Sequence, residues 1–416
     1  MRFLISAAEQ GMGSIITFGI NIWFIRNGQA ESYGVYVFWY SVAWVLSTCQ
    51  STLTVVHLSS LPSGDDRMAE RHEPERVLFT VTLVLLTLAG FGVLAVNGLM
   101  AAAGSELTEH LAALFIPAFL LYQFVRAFAF SRRRTDLAAG LTGAVMVTAF
   151  AGLACDAWLG QHPSAPRVLL IVGVAYGLCS VLVLRMIDPS LRPVIQPAAL
   201  RRYISYLRGS GWLVLGAGSA EVTSRLYSFL VVGWFGTEAL ARLSAVQVVV
   251  RPAWMLSSAW MSIGFPSMAT QRAAGDRRGL THSILRGAVL TAAGSACWTG
   301  IVLFAWPLVS AALYRGRYQD IGPLVWFWGG NVVLGSIAVP LNTAMLVLSD
   351  FRRLALIDLA GAVICSTALL LLLSRFNYPA SILGTMAGQV TQIVLMAVAL
   401  SRRLGTDLKL GAVRTS

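Results

Sequence analysis

The sequence predicts an all-α integral membrane protein of about twelve transmembrane helices, in two six-helix lobes related as parallel repeats. Three observations predict it. Hydrophobic residues make up 56% of the chain and charged residues 12%, with a mean hydropathy of +0.70. A soluble domain carries roughly a quarter charged residues. Apolar runs of roughly 20 residues, the length that crosses the bilayer core as a helix, recur from end to end. Finally, Ala43-Trp44-Val45-Leu46-Ser47 returns as Ala253-Trp254-Met255-Leu256-Ser257, shifted by 210 of 416 residues, and a repeat at that period marks a duplicated architecture.

In order, the spans fall near 4–25, 34–58, 77–102, 110–130, 138–158 and 168–184, then 210–235, 243–268, 284–308, 322–348, 355–374 and 380–400. Backbone polar groups in hydrocarbon must be satisfied internally, so these are helices. The first begins like a signal peptide, but Glu9 and Gln10 interrupt its run and no small-residue cleavage site follows, so it is expected to be retained. The domain plan is an N-terminal lobe at 1–187, a cytoplasmic linker at 188–209, a C-terminal lobe at 210–400 and a cytoplasmic tail at 401–416. Six spans per lobe is an even number, so both lobes enter from the same side and repeat about an axis along the membrane normal. Within the linker, residues 198–208 alternate Leu200, Tyr203, Ile204 and Leu207 with Arg201, Arg202 and Arg208. That pattern fits a short interfacial helix or a solvated linker with aromatic anchors.

The first helix of each lobe is rich in glycine: Gly11, Gly13 and Gly19, then Gly211, Gly216 and Gly218. Glycine permits close helix contact and bending. Pro252 and Pro340 are expected to kink spans eight and ten. All five cysteines lie in or beside apolar runs without metal-ligand spacing, so no metal site is expected.

The formal charge of +12 does not point to nucleic acid, because its placement follows the membrane. Of 31 basic residues, 21 lie in the even-numbered links and the termini, six in the odd-numbered links and four within spans. The positive-inside rule then puts both termini in the cytoplasm of a multi-pass protein, expected in the bacterial inner membrane. Pairs such as Arg352-Arg353 and Arg402-Arg403 serve as orientation signals that also meet lipid headgroups.

Charges inside spans are costly and mark cavities or partners. Glu221 and Arg225 are four apart in span seven and share a face, and Arg251 lies in span eight. Two deep guanidiniums suit a phosphate or diphosphate, which arginine binds bidentately. Alternatively, Glu221 neutralises Arg225 for folding alone. Arg126 and Arg286, near the inner ends of spans four and nine, are further candidates for the same anion or snorkel to the interface. Glu9, Glu221 and Asp358 are candidates to take up H⁺ or Na⁺ as a coupling ion. His57 fits an interfacial histidine better than a proton relay. Asn21, Gln50, Gln123, Gln247, Asn331, Asn342, Gln389 and Gln392 add polar groups to apolar faces. Trp39, Tyr40, Trp44, Trp326 and Trp328 offer sugar-stacking faces or an interfacial belt. No catalytic residues are assigned, because no GxSxG, HExxH, Walker A or paired acidic motif is present.

Local phrases also carry a resemblance. Gly28-x-x-x-x-x-Gly34-Val35-Tyr36, Phe265-Pro266-Ser267 and Leu313-Tyr314-Arg315-Gly316-Arg317-Tyr318, with the six-plus-six plan, are similar to Wzx-type O-antigen and polysaccharide flippases. These belong to the multidrug/oligosaccharidyl-lipid/polysaccharide exporter superfamily, which also holds MATE exporters and lipid II flippases. The link starting at Gly236 departs by lacking a second glycine. The resemblance implies a MATE-like fold and a non-enzymatic flippase. Its cargo would be a polyprenyl-diphosphate-linked oligosaccharide, carried from the cytoplasmic to the outer leaflet through a cationic cavity by alternating access. It implies partners in membrane lipids and other polysaccharide assembly proteins, no nucleic acid, and no cofactor beyond a coupling H⁺ or Na⁺. The alternative is a MATE-type cation-coupled exporter, disfavoured because cationic drugs prefer an acidic cavity. A major-facilitator transporter would carry a basic Gly-x-x-x-Asp-Arg link after span two, where this chain has Ser63-Gly64-Asp65-Asp66-Arg67-Met68. A membrane polymerase or glycosyltransferase would need a large catalytic outer loop.

Overall fold

The structure, a computed structural model, describes residues 2–61, 68–194 and 197–413. Residues 63–67 of the second-to-third-span link lie outside them, as do the side chains of Leu200, Arg202, Leu207 and Arg208. Among the described residues there is no strand, and the chain is an all-α integral membrane fold. Its helices are α1 Arg2–Asn27, α2 Ala30–Gln50, α3 Val56–Ser60, α4 Met68–Ala102, α5 Ala112–Ser131, α6 Thr135–Trp158 and α7 Ala165–Ile187. They continue as α8 Pro197–Val250, α9 Ala253–Ala273, α10 Arg277–Phe304, α11 Trp306–Tyr314, α12 Leu324–Val347, α13 Phe351–Leu373 and α14 Ala380–Val413. Nine described helices are individually long and apolar enough to cross a membrane. With α1, α2 and the division of α8 at Gly236, about twelve crossings result.

Two compact units emerge: Met1–Val214 with Gly236–Ala241, and Leu215–Phe235 with Arg242–Ser416. In the first, α5 is the central helix and packs on α4, α6 and α7. Apart from Tyr122, Gln123 and Arg126 it is apolar around its circumference, as expected of a helix that protein surrounds. Phe115, Phe124 and Phe128 on it are fully buried. By contrast, α4 exposes Val84, Leu88, Phe91 and Leu99, the apolar surface that hydrocarbon solvates. An aromatic chain threads the unit from Phe24 and Tyr33 through Tyr36, Tyr40 and Phe119 to Tyr176 and Tyr122. Trp39 and Tyr40 are therefore consumed in packing. Gly34 lies against the Thr237 backbone, an approach only a residue without a side chain allows.

In the second unit, buried hydroxyls join the helices. Ser257 of α9 and Ser295 of α10 meet Ser336 of α12 at 3.1 and 2.7 Å, and Thr291 donates to the Ser336 carbonyl at 2.8 Å. Such small polar residues replace the hydrophobic drive that hydrocarbon cannot supply. Trp254 and Trp260 of α9 fill the notches left by Gly335 and Gly287. The helices α13 and α14 pack closely because Gly361, Gly384 and Gly388 lie at their contact. Of the glycines singled out from the sequence, Gly19 meets Phe150 and Gly216 meets Ala355 and Asp358. A side-chain carbon added at Gly11, Gly13, Gly211 or Gly218 would meet no other part of the fold within 4 Å.

The helical segment beginning at Pro197 runs on into span seven as one helix. Gly236 then breaks α8, with φ of 82°, a left-handed conformation that glycine adopts without steric cost. A second break falls at Arg251-Pro252, between α8 and α9, where proline removes a backbone donor. By contrast, α12 continues through Pro340.

A side chain at position 388 would approach the Cys365 Cβ at 2.7 Å and the Gly361 carbonyl at 2.8 Å. Gly388→Val should therefore destabilise the protein by about 1–3 kcal/mol through overpacking. Gly218→Val, at a site with no neighbour within 4 Å, should leave it unchanged. Thermal melts in detergent followed by fluorescence-detected gel filtration check both.

Candidate functional site

The intramembrane charges fall into separate groups, and the pairing within each defines what it can do. In the first unit, α1 carries Glu9 and α5 carries Arg126. Arg126 Nε and Nη2 donate to the two Glu9 oxygens at 2.5 and 2.8 Å, a bidentate pair. Thr142 of α6 donates to the same carboxylate at 2.9 Å. Its hydroxyl lies 2.9 Å from that of Tyr122, whose ring packs 4.8 Å from Tyr176. Glu9 is 1% exposed and the Arg126 side chain 32%, so the carboxylate is sealed while its partner reaches out. Thr142 and Tyr122 carry no sequence signal, because a lone hydroxyl in an apolar run is indistinguishable from a packing residue.

At one end of the same unit lies a second charged cluster that sequence reasoning missed. Arg71 and Glu75 of α4 are four apart and paired at 3.1 Å, with side-chain exposures of 2% and 1%. Arg71 also donates to the Ser131 carbonyl and hydroxyl. Arg132 bridges Glu75 at 2.5 Å and Asp188 at 2.7 Å, with its guanidinium 4.5 Å over the Phe128 ring. Asp188 in turn accepts from Ser190. Arg76 donates to the Arg192 carbonyl, and the Val194 amide donates to Thr80. The described start of the linker is thus tied to α4 and α5. Burial opposes the Asp188 charge, but hydrogen bonds from Ser190 and Arg132 outweigh it and hold its carboxyl below the ordinary range. The 71/75 spacing was visible in the sequence; the pairing of residues 57 and 56 positions apart was not.

The second unit holds the other candidates. Arg225 donates to Glu221 at 2.9 Å along α8, each side chain 19% exposed. Tyr227, two residues beyond Arg225 on α8, is buried. Its hydroxyl donates to Gln247 at 3.4 Å, and its ring sits edge-on to Trp328 at 5.4 Å. Arg251 occupies the break between α8 and α9 and has no ion pair among the described residues. The structure therefore groups Tyr227, Gln247 and Trp328, and places Arg225 and Arg251 in the same unit. Arg126 is instead paired in the other unit. Arg286 lies on the exposed face of α10, with no ion pair among the described residues.

Asp358 of α13 is 9% exposed and accepts one hydrogen bond, from Gln392 of α14 at 3.1 Å. It faces Gly216 of α8. Of the three candidate coupling carboxylates, Glu9 and Glu221 have arginine partners, whereas Asp358 has none among the described residues. Of the polar residues in apolar runs, Asn331 donates to Thr385, Asn21 links Thr17 to Tyr33, and Gln50 donates to the Leu120 carbonyl.

No family model matches the sequence, and no curated protein matches it. Solved structures do share the fold. An inward-facing multidrug-resistance MATE family transporter of the MOP superfamily superimposes with a TM-score of 0.72 at 10% identity, over 95% of each chain. The lipid II flippase MurJ in an inward closed conformation gives 0.71 at 12% identity, over 96% of this chain and 87% of that one. A MOP superfamily transporter from Pyrococcus furiosus, described as having a binding pocket of reverse polarity, gives 0.62 at 10% identity, over 96% and 94%. The fold is therefore MATE-like.

The Glu9–Arg126 pair predicts a strongly non-additive mutant cycle. Arg126→Ala strands a buried carboxylate and should cost about 3 kcal/mol, much of which Glu9→Gln added to it should restore. Melting of the four proteins measures the coupling. The Asp188 cluster predicts an acid limb. Because the folded carboxyl titrates below its unfolded value of about 3.9, the stability it contributes is complete above that pH. It is lost as pH falls through the folded value. Asp188→Asn should flatten this limb in melts recorded from neutral to acid pH.

Proposed function

We propose that this protein is a flippase that carries a polyprenyl-diphosphate-linked oligosaccharide from the cytoplasmic to the outer leaflet by alternating access. The observation that carries the proposal is the presence of two arginines in the apolar part of the second unit, Arg225 on α8 and Arg251 at the break between α8 and α9. A diphosphate offers several oxygens to two fixed guanidiniums. Arg251 sits where a helix is interrupted, and interrupted helices at mid-membrane are where transporters build substrate sites. Glu221 moderates one of the two charges, which keeps the site from holding an anion too tightly to release. Gln247 and Trp328 adjoin Tyr227 and supply the amide and aromatic groups that sugars use. In this reading Arg126 and Arg286 are peripheral to the anion, since the first is held by Glu9 and the second is exposed.

The fold it shares with a lipid flippase and with multidrug transporters supports a transport function rather than an enzymatic one. The basic excess on one side of the predicted spans supports an inner-membrane protein with cytoplasmic termini. Other polysaccharide assembly proteins would be its partners. A cation-coupled exporter of the MATE type is a second reading, favoured by Asp358, a buried carboxylate with an amide donor and no described arginine. In either reading Asp358 is the residue best placed to exchange H⁺ or Na⁺.

Arg225→Ala and Arg251→Ala should each lower export of a surface polysaccharide by about 10- to 100-fold, the value of a charge-assisted hydrogen bond, while membrane insertion is retained. Lysine at either position should recover part of the activity. Export assays in a host depleted of the native gene, with protein levels matched by immunoblot, provide the measurement. Normal export from both alanine variants overturns the cationic site.

A further inference from the structure

One end of the second unit is built from arginine. Arg272 at the end of α9 donates to the Val347 carbonyl and to Ser349, and Arg403 of α14 donates to the Leu348 carbonyl. These bonds bring the ends of α9, α12 and α14 and the start of α13 to the same level. Between α13 and α14 at this level opens a cleft of about 810 Å³, lined by Asp350, Arg352, Arg353, Leu356, Arg402 and Arg403. Four guanidiniums face one carboxylate. Asp350 accepts from Arg353 at 3.3 Å and from Arg403 at 2.8 Å, which fixes two of the four in place. Arg352 and Arg402 are exposed and complete the wall.

Apolar stripes lead away from the same residues. Arg352, Leu356, Leu359 and Val363 follow one another at helical spacing on α13, and Arg402, Val398 and Leu395 do so on α14. All five apolar members are exposed on membrane-spanning helices. Orientation of a membrane protein requires only that positive charge lie on one side. It does not require guanidiniums of two helices to line one cleft, nor exposed apolar stripes to start from it.

We propose that this cleft binds the phosphate headgroup of an anionic phospholipid in the adjacent leaflet, with the acyl chains lying along the two stripes. Guanidiniums match phosphate oxygens in pairs, and basic pockets between transmembrane helices select anionic headgroups. The stripes are what distinguish a lipid-borne phosphate from a soluble one, which would gain nothing from them. The site is separate from Arg225 and Arg251 and does not depend on the transport reading.

The test uses the purified full chain in detergent, with native mass spectrometry of bound phosphatidylglycerol and of phosphatidylcholine with the same acyl chains. The unmodified protein should retain phosphatidylglycerol in preference, and the preference should fall with added salt. At about fivefold per arginine near a membrane surface, Arg352→Gln/Arg402→Gln should weaken it by about 25-fold. Arg352→Lys/Arg402→Lys should keep most of it. Should the double glutamine variant not fold, each single variant reads the loss at about fivefold. A large excess of inorganic phosphate should leave the bound lipid in place. Equal retention of the two lipids by the unmodified protein, or an unchanged preference in the glutamine variants, overturns the site. Displacement by inorganic phosphate overturns the lipid as its occupant in favour of a soluble anion.

Discussion

A charge carried into hydrocarbon must bring its partner with it, since desolvation of an isolated ion exceeds anything packing returns. That constraint organises both units. In the first, Glu9 of α1 and Arg126 of α5 meet in a bidentate pair, and Thr142 joins α6 to it. One carboxylate therefore fixes the relative placement of three helices. The aromatic chain of Tyr40, Phe119, Tyr176 and Tyr122 packs onto that arrangement. At the end of the unit, Glu75 and Asp188 hold Arg71 and Arg132, and the start of the linker is fastened in the same way. Each guanidinium of these clusters makes a bond that joins two helices.

The second unit meets the constraint differently. Its helices are joined by neutral hydroxyls at Ser257, Ser295, Ser336 and Thr291 and by glycine contacts along α13 and α14. Charge serves as scaffolding at one end of this unit, where Arg272 donates to the Val347 carbonyl and Arg403 pairs with Asp350. Glu221 offsets Arg225, but Arg251 and Asp358 have no opposite charge among the described residues. The duplicated phrase makes the contrast sharp. Ala253 opens α9 directly after Arg251 and Pro252, whereas Ala43 lies inside continuous α2, preceded by Ser41 and Val42. The same five-residue scaffold is uninterrupted in one copy and follows a charged helix break in the other.

Much of the fold was legible in the sequence, because hydrocarbon leaves a chain few options. The twelve apolar runs correspond to helices, and Pro252 marks a break. Legibility failed where the outcome depended on a neighbour. Of six glycines read as permitting close helix contact or bending, Gly19 and Gly216 are those where an added side chain would meet another helix. The 198–208 segment is helical, and its backbone continues into span seven. At the candidate site, the Glu221–Arg225 pair followed from spacing alone. Tyr227, Thr142, Tyr122 and Gln392 were silent, since a single polar atom in an apolar run acquires meaning only from what faces it.

The sequence by itself determined that this chain crosses a membrane about twelve times, that it is written twice, and which residues carry charge into the bilayer. Hydropathy is a local property, and a solvent as restrictive as hydrocarbon converts it directly into helices. Only the tertiary structure decided what each charge does. It gave Arg126 to Glu9 across 117 residues, left Arg251 at a helix break, and set Arg352 and Arg402 around one cleft. Pairing depends on which helix faces follow one another in space, and no period along a single helix encodes that.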